Sequence, residues 1–251
     1  MSNFANLDLT ITEKVAQIEM HRAPSNILEF EMMTELAQAL DQVSECSVLL
    51  LSSALPHFSM GVDIKVHTPD KVPEMLEKFH AVIRRIYHFG GVSLCLLHGY
   101  ALGGGLELAL PCDFLFAEKE SRLGFPEIRL ACFPPVAAVL LPHTIGRRGY
   151  PLLFTGETIP ASEALAMGIV DKIFDKENRD SFLKDFLQKN SAYSYDALHS
   201  LKKVIRNSSG FDFDEELAYA EKVYIQELLQ SPDMAEGINA FLQKRPAKYR
   251  R

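Results

Sequence analysis

Residues 98–110 read HGYALGGGLELAL, and they join an apolar run, SLCLL at 93–97, to a helix that has to start within its own glycines. Working outward, the run after this helix, 114–117, is again strand-like. Before it, 29–43 carries Met32, Leu36, Leu40 and Val43 at helical spacing, and 47–52 contains the buried-strand run VLLL. A second helix is predicted over 73–87, with Met75, Phe79, Val82 and Ile86 on one face and Pro73 suited to its first turn. Two short β-prone segments, 7–11 and 14–20, read as a hairpin. Strand and helix therefore alternate along the first two thirds of the chain, the pattern of an α/β fold built from repeated strand-to-helix units. No repeat shows at the level of residue identity.

Residues 155–170, TGETIPASEALAMGIV, predict a short helix between Pro160 and Gly168 followed by a strand. Beyond 180 the apolar residues are spaced as amphipathic helices: Phe182, Phe186 and Leu187; Leu198, Leu201 and Ile205; Leu217, Tyr224 and Leu228; Ile238 and Phe241. The division expected is a core over 1–180 and a helical region over 181–251, whose apolar faces pack on the core or on another subunit.

The chemistry-bearing residues cluster around the glycines. Three consecutive glycines at a helix start can present backbone N–H groups where the helix dipole favours developing negative charge. A glycine turn that merely lets the helix pack closely would read the same way, and the segment is not a GxGxxG dinucleotide motif. Glu107 sits among Leu106, Leu108, Ala109 and Leu110, so it either faces a cleft or is buried with a raised pKa; a structural glutamate paired to an arginine or amide is the alternative. Glu127, in LGFPEIRLACFPP, reads by itself as an ordinary loop carboxylate. HFSMGVDIK (57–65) turns at Gly61, and the amide after that glycine is a candidate second donor. Lys65 is a candidate phosphate or adenine contact that any surface lysine would mimic. His98 reads as a packed or hydrogen-bonded residue.

The chain has 251 residues, nearly half of them apolar, enough for one sizeable core. A formal charge of −7 argues against nucleic acid or an anionic membrane as partner, the basic cluster being confined to 244–251. Cys46, Cys95, Cys112 and Cys132 lack CxxC spacing and lie mostly in apolar runs, so buried thiols in a reducing compartment are expected, with no zinc site or disulfide framework. The eight histidines offer no HExxH spacing, and no metal is expected. The opening MSNFANLDLT has no basic-then-apolar leader pattern and no run nears eighteen apolar residues, so a cytoplasmic protein is expected.

Taken together, FSMGVDIK, HGYALGGGLELAL, LGFPEIRL, TGETIPASEALAMGIV and DMAEGINAFLQKRPAKY resemble, in order and spacing, the motifs of the crotonase superfamily of acyl-CoA hydratases and isomerases. The resemblance implies a spiral of ββα units with a C-terminal helical trimerisation region, assembled as a homotrimer or dimer of trimers. It implies an oxyanion hole at Val62 and Gly104 and acid–base catalysis by Glu107 and Glu127. Coenzyme A contacts carry over to Arg22, Ala23, Asp63, Ile64 and Lys65, with Phe241 and Lys244 reaching a neighbouring subunit's ligand. Coenzyme A is then part of the substrate, and no separate cofactor is implied. The sequence departs from the family pattern at Met60 and Val62, which are bulkier than usual, and at Pro135-Val136-Ala137-Ala138, which replaces a glycine-rich stretch. With 66–80, the run CFPPVAAVLLP is more similar to hydratases of cyclic dienoyl-CoA thioesters, the cyclohexa-1,5-diene-1-carbonyl-CoA type of aromatic degradation. Short-chain enoyl-CoA hydration and isomerisation are the alternatives, and a catalytically silent assembly subunit is the reading from a different class.

Overall fold

The computed structural model describes residues 4–208 and 210–249. Its backbone is a spiral that repeats one path. A strand of a large sheet leads to a short extended segment on a second, smaller sheet, and a helix then returns to start the next turn. The clearest turn is β4 (Val92–Leu97), β5 (Tyr100–Leu102) and α3 (Gly104–Ala109). Before it, β3 (Val48–Ser53) leads to Ser59, which bridges Ala101 of β5, and then to α2 (Val72–Tyr87). Earlier still, β2 (Val15–Met20) leads to Leu28, which bridges Val62, and to α1 (Phe30–Asp41). After it, β6 (Phe114–Glu118) leads to β7 (Arg122–Gly124) and α4 (Pro135–Ile145). The repeat invisible in residue identity is thus plain in the path of the chain.

The large sheet runs β1 (Leu7–Thr12), β2, β3, β4, β6 and β9 (Lys172–Phe174), antiparallel only at the β1–β2 hairpin. The small sheet is β5, β7 and β8 (Thr158–Pro160). β3 is buried at every position, as a central parallel strand covered on both faces requires, whereas β2 alternates buried and half-buried residues. α2 buries Met75, Phe79, Val82 and Ile86, the face its spacing predicts, and packs on α1. The short elements β5, β7 and β8 and the helices α4 and α5 (Tyr150–Thr155) were not legible as separate elements. α4 has apolar residues around its whole circumference, so it shows no helical period. α6 (Ala161–Met167) ends, as predicted, at Gly168 in the left-handed conformation.

The C-terminal helices pack largely on the spiral of their own chain. Phe182 and Phe186 of α7 (Arg179–Ser191) meet Phe116 of β6 edge-on, with centroids 5.1 and 5.2 Å apart, and cover the outer face of the large sheet. α8 (Tyr195–Ser208) is tied down by Lys202, whose Nζ donates to the Gly91 carbonyl at 2.9 Å and to Asp113 Oδ2 at 2.6 Å. Asp113 also accepts from the Ser93 amide and hydroxyl. α9 (Phe213–Val223), N-capped by the Asp212 side chain, packs on α4, and its Glu221 bonds to His80 Nδ1 at 2.5 Å and Arg84 at 3.1 Å on α2. α10 (Pro232–Leu242) rests on the turn Pro126–Leu130. A Cβ at Gly237 would come within 2.2 Å of the Leu130 carbonyl oxygen, so only glycine permits that approach. The outer face of α8 leaves Leu201, Val204 and Ile205 about three-fifths exposed.

All four cysteines are buried free thiols, and no helix of the described residues is long and apolar enough to cross a membrane. The basic cluster is partly neutralised, because Glu236 takes Arg245 in a two-pronged pair at 2.6 and 2.8 Å; Arg250 and Arg251 lie outside the described residues. His98 is hydrogen-bonded, its Nε2 lying 2.6 Å from the Leu55 carbonyl oxygen.

Candidate active site

Two successive turns of the spiral place Val62 and Gly104 side by side. Gly61, at φ 98°, turns the chain after Ser59, whose hydroxyl accepts the Gly61 amide at 3.1 Å. The Gly61 carbonyl and the Asp63 amide are then both used on Leu28, at 2.9 and 3.2 Å. The Val62 amide between them has no acceptor among the described residues. The Gly104 amide, first in α3, lacks the intrahelical partner that later residues have. A Cβ on Gly104 would stand 3.4 Å from the Val62 nitrogen and 2.6 Å from its Cγ2, which shows how closely the two donors converge. Two fixed N–H dipoles with no acceptor among the described residues can receive negative charge that develops between them.

Glu107 and Glu127 face the same cavity, which also takes in Met60, Val62, Met75, Phe79, Gly104 and Tyr224 and measures about 90 Å³. Glu107, one turn into α3, is 3% exposed. Its Oε1 accepts the amides of Val136 and Ala137 at 2.7 and 3.1 Å, at the N-terminus of α4. Burial raises its carboxyl to about 7 against the opposing pull of those two amides. Glu127 arrives from the turn after β7, and its carboxyl lies over Gly103, where a Cβ would come within 2.3 Å of Oε1. Gly103 is therefore required twice, for this close approach and for its φ of 52°. The Glu127 residue is half-buried, but its Oε2 is fully buried with no partner among the described residues. Burial first, and the charge of Glu107 second, hold Glu127 well above the usual carboxylate range. Two carboxyls so coupled favour the state with one proton between them, an acid and a base in one cavity.

The amide partner that a structural reading of Glu107 allows is present, in the two backbone N–H groups of α4, yet its carboxyl still faces the cavity. Among the described residues Glu107 has no arginine partner, and Glu127, with a buried Oε2, is no ordinary solvated carboxylate. Sequence reasoning missed Tyr224, seen only as a member of an amphipathic face, and His67, which lines the cavity with its Nδ1 3.1 Å from the Asp63 carbonyl oxygen. Neither has a local signal, since each reaches the cavity by a tertiary contact.

Of Arg22, Ala23, Asp63, Ile64 and Lys65, expected around coenzyme A, Ile64 is the one that lines this cavity. Asp63 caps the turn Ile64–Val66 by accepting the Lys65 amide at 3.0 Å, Ile64 lines the cavity, and Lys65 is exposed. Arg22 pairs with Glu29, and Ala23 is exposed beside it. Phe241, expected to reach a neighbour's ligand, lines a second hollow of its own chain with Met60, Ile64, Pro126, Leu130 and Arg245. Lys244 is exposed and lines neither hollow. No group of three or more metal-ligating side chains occurs among the described residues.

The family model for enoyl-CoA hydratase/isomerase matches residues 10–251, and the chain belongs to that family of enzymes. It is 32% identical to the cyclohexa-1,5-dienecarbonyl-CoA hydratase of Thauera aromatica, over 93% of this chain and 92% of that one. It is 31% identical to a probable enoyl-CoA hydratase of Bacillus subtilis (strain 168), over 97% and 98% respectively. Among solved structures, an enoyl-CoA hydratase from Mycobacterium avium subsp. paratuberculosis K-10 superposes with a TM-score of 0.87 at 25% identity, covering 99% of this chain and all of that one.

Proposed function

We propose that the protein adds water across the double bond of an α,β-unsaturated acyl-CoA thioester, with Glu107 and Glu127 as base and acid and Val62 and Gly104 as the oxyanion donors. The observation that carries this reading is the pair of electrostatically coupled carboxyls in one cavity with two unsatisfied amides. Addition at the β-carbon drives negative charge onto the thioester oxygen, and each fixed N–H donor there is worth roughly 3 kcal/mol in the transition state. Glu107, ionised and anchored by the amides of α4, takes a proton from water as its oxygen bonds to the β-carbon. Glu127, protonated, delivers a proton to the α-carbon. An isomerase needs one positioned base only, so the retention and anchoring of Glu107 support hydration.

The preferred acyl group is a cyclic dienoyl, supported by the likeness to the Thauera aromatica hydratase. The cavity of about 90 Å³ is smaller than the roughly 150 Å³ that holds a benzene ring in a protein core. Met60 and Met75, unbranched and adaptable, are the walls that must shift to seat a ring. Purified protein should deplete the conjugated-thioester absorbance of cyclohexa-1,5-diene-1-carbonyl-CoA at least as efficiently as that of crotonyl-CoA. Turnover of crotonyl-CoA alone would transfer the reading to short-chain enoyl-CoA, and inertness toward both would refute hydration. We place this chemistry in the cytoplasm, in a homotrimer or dimer of trimers. The exposed Leu201, Val204 and Ile205 on α8 support assembly, and light scattering on the eluting protein measures it.

A further inference from the structure

Tyr224 is 2% exposed, yet it lines the cavity that holds both glutamates. It opens a π turn, Tyr224–Leu228, that continues α9, and such local widenings of a helix recur at functional sites. Its ring is held by packing, with the Phe133 ring centroid 5.1 Å away. Its hydroxyl is poorly provided for. Among the described residues no hydrogen bond of ordinary geometry reaches it; the Cys132 thiol lines the same cavity. That thiol turns its own hydrogen toward the Leu130 carbonyl at 3.6 Å, and sulfur is at best a weak acceptor. Among the described residues no side chain donates to the phenol oxygen. The nearby walls include Leu76, Phe79 and Phe133, against which a phenylalanine would pack equally well. A buried phenol normally has a firm partner.

We infer that the Tyr224 oxygen receives the hydroxyl that hydration installs on the acyl chain, the phenol oxygen accepting the O–H of the product. The inference rests on the hydration reading. Once water has added, the new hydroxyl is the polar group that distinguishes product from substrate within the acyl portion. Tyr224 lines the same cavity as both glutamates, the groups that handle the added water. The same carboxyls would repel an acyl group carrying its own carboxylate, so a neutral hydroxyl is the group that fits. Tyr224 is thus a positioning residue for the hydroxylated ligand and has no partner on the enoyl form.

The test is a binding comparison in the Glu127→Gln protein, where turnover is suppressed, using butyryl-CoA and each enantiomer of 3-hydroxybutyryl-CoA in titration calorimetry. With Tyr224 present, the preferred enantiomer should bind more tightly than butyryl-CoA. Adding Tyr224→Phe should weaken that enantiomer about tenfold, the effect of one neutral hydrogen bond, and leave butyryl-CoA within a factor of two. Equal affinities with and without the phenol hydroxyl, or equal losses for both esters, would overturn the inference while leaving the acyl-CoA reading in place. Failure of every ester to bind with Tyr224 intact would overturn both.

Discussion

Replacing Gly104 with alanine tests the oxyanion hole at one atom. The backbone at Gly104 is not in the left-handed region, and alanine is the better helix former, so no local penalty arises from the peptide itself. The added methyl, however, would stand 2.6 Å from Val62 Cγ2, where carbon atoms prefer about 3.5–4.0 Å. Val62 and α3 must part by about 1 Å, and overpacking of this kind costs about 1–3 kcal/mol in stability. The new Cβ would also lie 3.4 Å from the Val62 nitrogen, beside the position the thioester oxygen needs in order to meet both amides. Losing one such donor lowers kcat by about 10²–10³. The assay is the loss of enoyl-thioester absorbance, run beside a thermal melt that shows the variant folded. Pairing Gly104→Ala with Val62→Ala removes the Cγ2 contact and should recover about tenfold, equivalent to about 1.4 kcal/mol of the barrier. A folded Gly104→Ala protein that turns over within tenfold of the parent would refute the assignment of this amide to the oxyanion.

Four further outcomes follow from the same structure. Glu107→Gln and Glu127→Gln should each fold, bind butyryl-CoA and lose hydration by several orders of magnitude; near-parental turnover in either removes the two-carboxylate mechanism, and loss in Glu127→Gln alone would favour an isomerase. The pH profile of kcat should rise as the base ionises near pH 7 and fall at higher pH as the second carboxyl loses its proton, whereas a flat profile from pH 5 to 9 would contradict the coupling. Because Glu107 is raised from 4.5 to about 7 on folding, the folded state binds the extra proton, so stability is greater below pH 4.5 and is lost as pH rises toward 7. Glu107→Gln should therefore be more stable than the parent at pH 8, by an amount on the order of 3 kcal/mol, and similar urea midpoints at that pH would count against it. Finally, Asp113→Ala leaves Lys202, with 12% of its side chain exposed, as an uncompensated cation, and should cost about 3–5 kcal/mol in urea unfolding. A change below 1 kcal/mol would mean that α8 is held by its other contacts.

The long periodic elements were legible because they bury one face or both over many residues. α1, α2, the VLLL strand and the hairpin 7–20 stand where hydrophobic spacing puts them. The three-residue strands β5, β7 and β8 are too short to carry a period. Their pairing is made by neighbours from other turns of the spiral, as Ser59 pairs with Ala101. α4 went unread for the opposite reason, being apolar on every side because it is buried between the spiral and α9.

By itself the sequence determined which groups the site contains: a glutamate placed among leucines just after three glycines, a second beside a proline turn, and a glycine before Val62. Local chemistry marked Glu107 and the glycines, since burying a carboxyl or using a left-handed backbone is unfavourable; Glu127, an ordinary loop carboxylate in its own context, was picked out only by the resemblance of its motif. Tertiary structure alone decided how those groups act on one another. Packing of successive turns aims two amides at one point, sets Glu127 over Gly103 in the field of Glu107, and lends Glu107 the first amides of α4. It also brings Tyr224 and Cys132 to the same cavity from segments with no mark of function, because hydrogen-bond partners and charge coupling depend on distances through space.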